Sequence, residues 1–258
     1  MSPGTAADGF PVTRSTIDEL DGWVHRLAAP LLPPQRIKRR GRAGFRWRFR
    51  DETAYVLMVG KAVRMVSGIR AAMLLIDNGF VAEAASLVRI VSDLALEIVA
   101  VAEGELRDSR TKAQQDFVAE FFARKSIGED DNSLQQAKKR YVNREELMKT
   151  HVRLAKDAGL DGEGLRDLMR TIAGVYDGYV HGSYSSSMEL YHGERHEFML
   201  RGHEGTEQRV VYRTALSGKL HEVIQAISMI ALVARDEGLH SDIQRGLNRL
   251  EKSEESTG

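Results

Sequence analysis

Apolar positions recur at helical spacing through most of the chain. Thr16-Ile17-Asp18-Glu19 matches a capping box and predicts a helix carrying Leu20, Trp23, Val24, Leu27 and Leu31, which Pro30, Pro33 and Pro34 stop. Asp51 to Asp77 reads as a long helix with an apolar face at Val56, Val59, Val63, Val66, Met73 and Leu74. Asn78-Gly79 supplies a left-handed stop, and Phe80 to Glu103 reads as a second long helix, so the two are expected to form an antiparallel hairpin. A third helix is expected over Glu105 to Arg124, a fourth from Ser133 to about Ala158, and a fifth from Leu165 to Val180. The last runs from about Val210 to Glu237 through Leu216, Leu220, Val223, Ile227, Ile230 and Val233. Between these, Met188 to Arg201 loses the helical period, and Gly193 between two short runs predicts a small β-hairpin. The expected fold is all-α, a bundle of about six helices with one small β-hairpin insertion. Residues 1–14 read as a flexible leader, 15–240 as a single helical domain and 241–258 as a charged tail that frays.

On a wheel at about 100° per residue, Glu83, Ser86, Arg89, Asp93 and Glu97 fall within an arc of roughly 120°, which leaves the rest of the 80–103 helix almost purely apolar. An apolar arc that wide implies neighbours on two or three sides, so this helix belongs in the middle of the bundle. Arg89 and Asp93, four apart, can pair. The polar stripe either faces water or faces a partly closed cleft in which Arg89 is a fixed cation.

Composition narrows the picture. With 258 residues, 42% hydrophobic and 29% charged, the chain is of ordinary globular type. The absence of cysteine excludes disulfides and thiolate metal sites. The N-terminus lacks a basic start followed by an apolar run, and charges interrupt Phe80 to Ala102, so the expectation is a soluble, cytoplasmic protein with no membrane partner. No Gly-x-Ser-x-Gly elbow, phosphate-binding glycine loop or dinucleotide fingerprint occurs, and no cofactor is expected.

Net charge is zero, yet Arg36 to Arg50 holds eight basic residues and no acid. Its second half, Phe45-Arg46-Trp47-Arg48-Phe49-Arg50, puts rings on one face of an extended segment and guanidiniums on the other. The rings are expected to pack on the bundle, the ribbon to pair with the 188–200 hairpin, and Arg46, Arg48 and Arg50 to face outward. With Arg39, Arg40 and Arg42 they form a candidate nucleic-acid-binding surface. Another anionic ligand, or the protein's own acidic surface, accounts for the same charges.

His192 and His196 have the spacing of a helical metal pair, but Gly193 and the hairpin pattern argue against a shared metal, and no metal site is expected. His181 ends a helix and precedes a hydroxyl-rich turn, where it is either a general acid or base or an imidazole at a helix C-terminus. Arg89-Ile90-Val91-Ser92-Asp93 on a helix after an Asn-Gly-Phe turn, with Val180-His181-Gly182-Ser183 about ninety residues later, resembles an uncharacterised family of bacterial all-helical domains over about residues 55 to 235. In that family an Arg-x-x-x-Glu helix and a later His-Gly/Pro-Ser element recur, and Asp93 stands where the family usually has Glu. The resemblance implies an all-helical fold, nominates Arg89, Asp93 and His181 as site residues, and supplies no activity.

Arg235-Asp236-Glu237-Gly238-Leu239-His240 looks like the Arg-polar-x-x-x-His signature of HEPN ribonucleases, and Arg144 with His151 fits a looser version with six intervening residues. That resemblance implies metal-independent RNA cleavage by an Arg and a His across a dimer, with Arg235 stabilising phosphate charge and His240 handling the proton. The functional expectation is a self-associating, nucleic-acid-associated helical protein. Its alternatives are a metal-independent endoribonuclease, using Arg235 and His240 or Arg89 and His181, and a non-catalytic assembly module.

Overall fold

The structure, a computed structural model, describes residues 14–38, 45–123, 144–191, 198–200, 202–203 and 207–255. The fold is all-α with a small antiparallel hairpin. Among the described residues the order is α1 (Arg14–Ala28), β1 (Gln35–Lys38), β2 (Phe45–Arg48), α2 (Ala54–Asp77), α3 (Val81–Leu106), α4 (Lys112–Ala123), α5 (Arg144–Asp157), α6 (Gly162–Val180), α7 (Tyr184–Met188), α8 (Glu207–Val233) and α9 (Glu237–Glu255).

The α2–α3 hairpin is the spine. Thr53 caps α2 by accepting from the Val56 amide. Gly79, at φ 81°, ends it in a Schellman motif: the Phe80 amide reaches the Leu75 carbonyl at 2.8 Å and the Gly79 amide reaches Ile76 at 3.0 Å. The helices run antiparallel, with Lys61 bonded to Glu97 and Gly68 set against Val91. A second glycine seals this corner from outside. Gly202, at φ 87°, lies so close to Gly79 that a Cβ would stand 2.7 Å from its carbonyl, and the His203 amide donates to that same oxygen.

As its wide apolar arc requires, α3 is central, packed against α2, α4, α5, α6 and α8. Val91, Ile98, Ala100, Val101 and Ala102 are fully buried. Its last turn is tied down by buried Glu103, which pairs with Arg107 and Arg153 and accepts from Gln114 of α4. On α2, Val56, Val59, Val66 and Met73 are buried as expected, whereas Val63 and Leu74 are exposed. Within α8, Val210–Val233 is long and apolar enough to cross a membrane, but 61% of its most apolar window is buried against protein. It packs on α1, α2, α3 and α9, which explains why it is apolar on several sides.

Three expectations are corrected. α1 already includes Arg14, so Thr16 lies within the helix and does not cap it. The segment from Ser241 does not fray: α9 continues to Glu255, with Ile243 and Leu250 buried, Gly246 under the Trp23 ring and Arg249 on Glu19 at 2.6 Å. Of the expected 188–200 hairpin the described residues show the two runs meeting in one antiparallel Tyr191–Phe198 bridge, with the Met199 amide on the Leu190 carbonyl at 2.7 Å; the basic ribbon does not pair with it, and its partner is β1 within the basic segment itself. A strand finds its sequence neighbour at the smallest loop-closure cost, so β2 pairs with the run just before it rather than with a segment far along the chain. The expected helix before Arg144 and the leader lie outside the described residues, as do His192, His196, Arg39, Arg40 and Arg42.

At Gly68 an added Cβ would sit 2.8 Å from the Cγ2 of fully buried Val91. Overpacking costs roughly 1–3 kcal/mol, against which the better helix propensity of alanine returns about 1 kcal/mol. Gly68→Ala is therefore expected to lower unfolding free energy by about 1 kcal/mol in urea titrations, and Val91→Ala to couple favourably with it in a double-mutant cycle. A Gly68→Ala protein as stable as the parent rejects the close approach.

Candidate functional site

The polar stripe of α3 faces a cleft. Arg89, whose side chain is only 12% exposed, meets Asp93 one turn along its own helix and bonds through Nε to Asp177 of α6 at 2.7 Å. Asp93 also accepts from Arg144 Nε of α5 at 2.9 Å. Burial works against the Arg89 charge, and the hydrogen bonds and charges of Asp93 and Asp177 overcome it, so the guanidinium is held above its ordinary pKa. It is a permanent, pre-positioned cation.

Two cavities open on either side of this network and share Arg89, Leu96 and Arg144. The outer lobe, about 360 Å³, is lined by Lys61, Asp93, Glu97, Phe117, Glu120 and Phe121 as well. Lys61 bonds to Glu97 at 2.5 Å and lies over the rings of Phe117 and Phe121. Its cations and carboxylates balance. The inner lobe, about 280 Å³, has an aliphatic floor that includes Val99, Met169 and Ile172, with His151, Tyr176, Lys219, Glu222 and Gln225 around it. Glu222 accepts from Lys219 at 2.5 Å and from Ser92 at 3.0 Å.

His151 sits one face down from Arg144 on α5, seven residues or about two turns away. Its Nε2 lies 3.2 Å from the Leu96 carbonyl. A carbonyl only accepts, so Nε2 carries the hydrogen and the neutral ring keeps a lone pair on Nδ1. Burial holds the imidazole below its ordinary pKa, with nearby Arg144 acting in the same direction against the opposing pull of the Leu96 bond and Glu222. Desolvation likewise raises the Tyr176 phenol, with Glu222 adding to it. At neutral pH the lobe therefore presents a neutral base, a protonated phenol and fixed cations.

The nominated residues separate into two groups. Arg89 and Asp93 are in the cleft; His181 is not. His181 is exposed at the C-cap just beyond α6, and the Val-His-Gly-Ser element builds the corner into α7, where Ser183 caps the short helix and Ser186 bonds to the Gly178 carbonyl at 2.9 Å. Arg235 and His240 do not share a helix. α8 ends at Val233, Arg235 takes a left-handed φ of 56°, and Asp236 starts α9 by accepting from the Leu239 amide. That amide bond, with Arg26 beside it, holds the Asp236 carboxyl below its ordinary pKa. Arg235 is exposed, and His240 is bonded to Ser228 Oγ of α8 at 2.9 Å, away from the cleft lining. The pair with six intervening residues, Arg144 and His151, is the one brought into the cleft, because a spacing of seven on one helix returns to the same face.

The basic ribbon differs from its expected pose. β1 pairs with β2 in the register Arg36↔Trp47 and Lys38↔Phe45, so these four residues share one face. Phe45 and Trp47 are exposed, Trp47 at 62%, where they were expected to be packed. Phe49 alone of the three rings packs on the core, and Trp47 edges a shallow depression beside Phe49, Phe121 and Phe122. The Arg36 guanidinium stacks 3.8 Å over the Phe45 ring, which meets Trp47 edge-on at 5.5 Å. On the other face Arg48 is engaged by Glu52 at 3.0 Å, Arg46 is placed opposite Ile37 by register, and Arg50 just beyond is exposed. Among the described residues no layer lies over this face of the ribbon, so its rings stay exposed and find cover from arginine.

Comparison with protein-family models, curated proteins and solved structures finds no match to this chain.

The lowered His151 pKa carries a pH signature. The unfolded chain binds the imidazole proton near its ordinary pKa of about 6.5, while the folded chain resists it. The stability tied to neutral His151 is therefore whole above about pH 6.5 and is lost as pH falls below it. His151→Gln, which keeps a donor for Leu96, is expected to flatten the fall in Tm between about pH 7 and pH 5 relative to the parent. Parallel pH profiles reject burial as the control on this histidine.

Proposed function

We propose that this is a nucleic-acid-associated helical protein that grips single strands with the β1–β2 ribbon. One observation carries the reading: Arg36, Lys38, Phe45 and Trp47 stand together on an exposed face, two cations interleaved with two solvent-facing rings. Rings of this kind stack on bases whatever their sequence, and the cations track phosphates. An intracellular setting and self-association are part of this proposal.

A second reading is favoured by the meeting of Arg89, Arg144 and His151 in one cleft. It is metal-independent RNA cleavage, with His151 Nδ1 taking the proton from a 2′-hydroxyl whose oxygen attacks the adjacent phosphorus. The bond from phosphorus to the 5′-oxygen breaks, the 5′-oxygen takes a proton from water, a 2′,3′-cyclic phosphate remains, and the His151 imidazolium returns its proton to the hydroxide so formed. Arg144 and Arg89 stabilise the charge that builds on the phosphoryl oxygens. This replaces Arg235 with His240, and Arg89 with His181, as the working pair.

Two experiments test these readings. Single-stranded RNA and DNA titrations across a salt series are expected to give affinity that falls with salt. Trp47→Ala should weaken it by roughly fivefold or more, and Arg36→Gln should reduce the salt slope by about 0.7. No binding at low salt, or affinity indifferent to both substitutions, rejects the ribbon. For cleavage, labelled RNA incubated in EDTA is expected to be cut by the parent, His181→Ala and His240→Ala proteins, and at least about a hundredfold more slowly by His151→Ala. Cleavage that survives His151→Ala, or none at all, rejects the catalytic reading.

A further inference from the structure

We infer that the inner lobe of the cleft is a binding site for a single nucleotide unit, with its base on the aliphatic floor and its phosphate at the throat beside Arg89 and Arg144. The inference rests on the cleft described above and names what that cleft holds. Three features of the lining lead to it.

The first is charge. Among the described residues the inner lobe is lined by three cations, Arg89, Arg144 and Lys219, and by one carboxylate, Glu222, which Lys219 and Ser92 already occupy. The carboxylates that hold Arg89 and Arg144, Asp93 and Asp177, are not part of its wall. Seen from inside, the lobe is cationic. Among the described residues Arg89 meets its carboxylates through Nε and Nη1, and Arg144 meets Asp93, which lines the outer lobe, through Nε; the Nη2 of each is left for a second anion, and a guanidinium's planar fork matches phosphate oxygens.

The second is shape and polarity. Val99, Met169 and Ile172 give an aliphatic bed for the face of a ring, while Gln225, Tyr176 and the Nδ1 of His151 offer both donors and acceptors for its edge. An aliphatic carboxylate would use the cations and waste the polar rim. A heteroaromatic ring bearing a phosphate uses both.

The third is size. At about 280 Å³ the lobe lies just below the usual span of ligand cavities, about 300 to 1,000 Å³, so it admits one small unit and not a folded segment or a duplex. The unit comes either as a free mononucleotide or as one residue of a strand that the outer lobe leads in.

The test is calorimetric titration of the full chain with uridine and adenosine 5′-monophosphates, the matching nucleosides, and inorganic phosphate. Saturable binding of a monophosphate below about 1 mM is expected, with nucleoside and phosphate at least about tenfold weaker. Arg144→Gln is expected to weaken the monophosphate by about tenfold or more. Ala173→Leu, which fills the lobe from α6, is expected to abolish binding. Helical circular dichroism and Tm check that each variant is folded, and if Ala173→Leu is not, Arg144→Gln decides. The inference is overturned by no binding, by phosphate binding as tightly as the monophosphate, or by a folded Arg144→Gln protein with parental affinity. A monophosphate that displaces a bound oligonucleotide identifies the unit as part of a strand, and one that does not identifies it as free. A mononucleotide offers no strand to the ribbon, so failure here leaves the ribbon to its own salt series. Binding without RNA cleavage removes the catalytic reading and keeps the site.

Discussion

A guanidinium near the middle of the central helix sets the terms for everything around it. Arg89 is almost withdrawn from water, and a charge in that position survives only if carboxylates meet it. Asp93 comes from the same helix, Asp177 from α6, and Asp93 in turn holds Arg144 of α5. One ion network thus joins three helices where apolar packing would otherwise have to do so. Charged groups cannot be compressed into a dry interface at no cost, and the space they keep open is the cleft. On its other faces the same helix is closed tightly, to the point that Gly68 of α2 leaves room for no more than a hydrogen against Val91.

Local signals in the sequence carried most of this architecture. The Asn78-Gly79 stop, the two long apolar helices flanking it and the wide apolar arc of α3 all depend on residues close together in the chain, and all appear in the structure. The signals that failed depend on partners that a segment's own pattern does not show. Ile243, Leu247 and Leu250 have helical spacing, but they sit in a polar stretch that is covered by α8 and, more than two hundred residues earlier in the chain, by α1. β1 was invisible because Gln35-Arg36-Ile37-Lys38 contains a single apolar residue and gains its extended form from pairing with β2.

The cleft was legible in part for the same reason. Arg89 and Asp93 stand out as charges on a helix that is otherwise apolar, and that contrast is readable without any partner. Asp177, 88 residues away, carries no such mark. Arg144 with His151 and Arg235 with His240 look alike as text. What separates them is helix continuity: the first pair lies within α5, while the second spans a left-handed break and a new N-cap. The ribbon shows the limit of alternation as a guide. It correctly groups Phe45 with Trp47 and sets them opposite Arg48, but it does not say which group the body covers, because that depends on what lies above the strand.

The contact between α1 and α9 has its own implication. Glu19 meets Arg249, Trp23 covers Gly246 and Arg26 grips Asp242 and Asp236, so residue numbers rise along one helix as they fall along the other. The beginning of α1 and the end of α9 therefore lie side by side. Chain order plays no part in that seam, and a short bridge there, with a cut at some other surface turn, would give a rearranged polypeptide with every packed face retained.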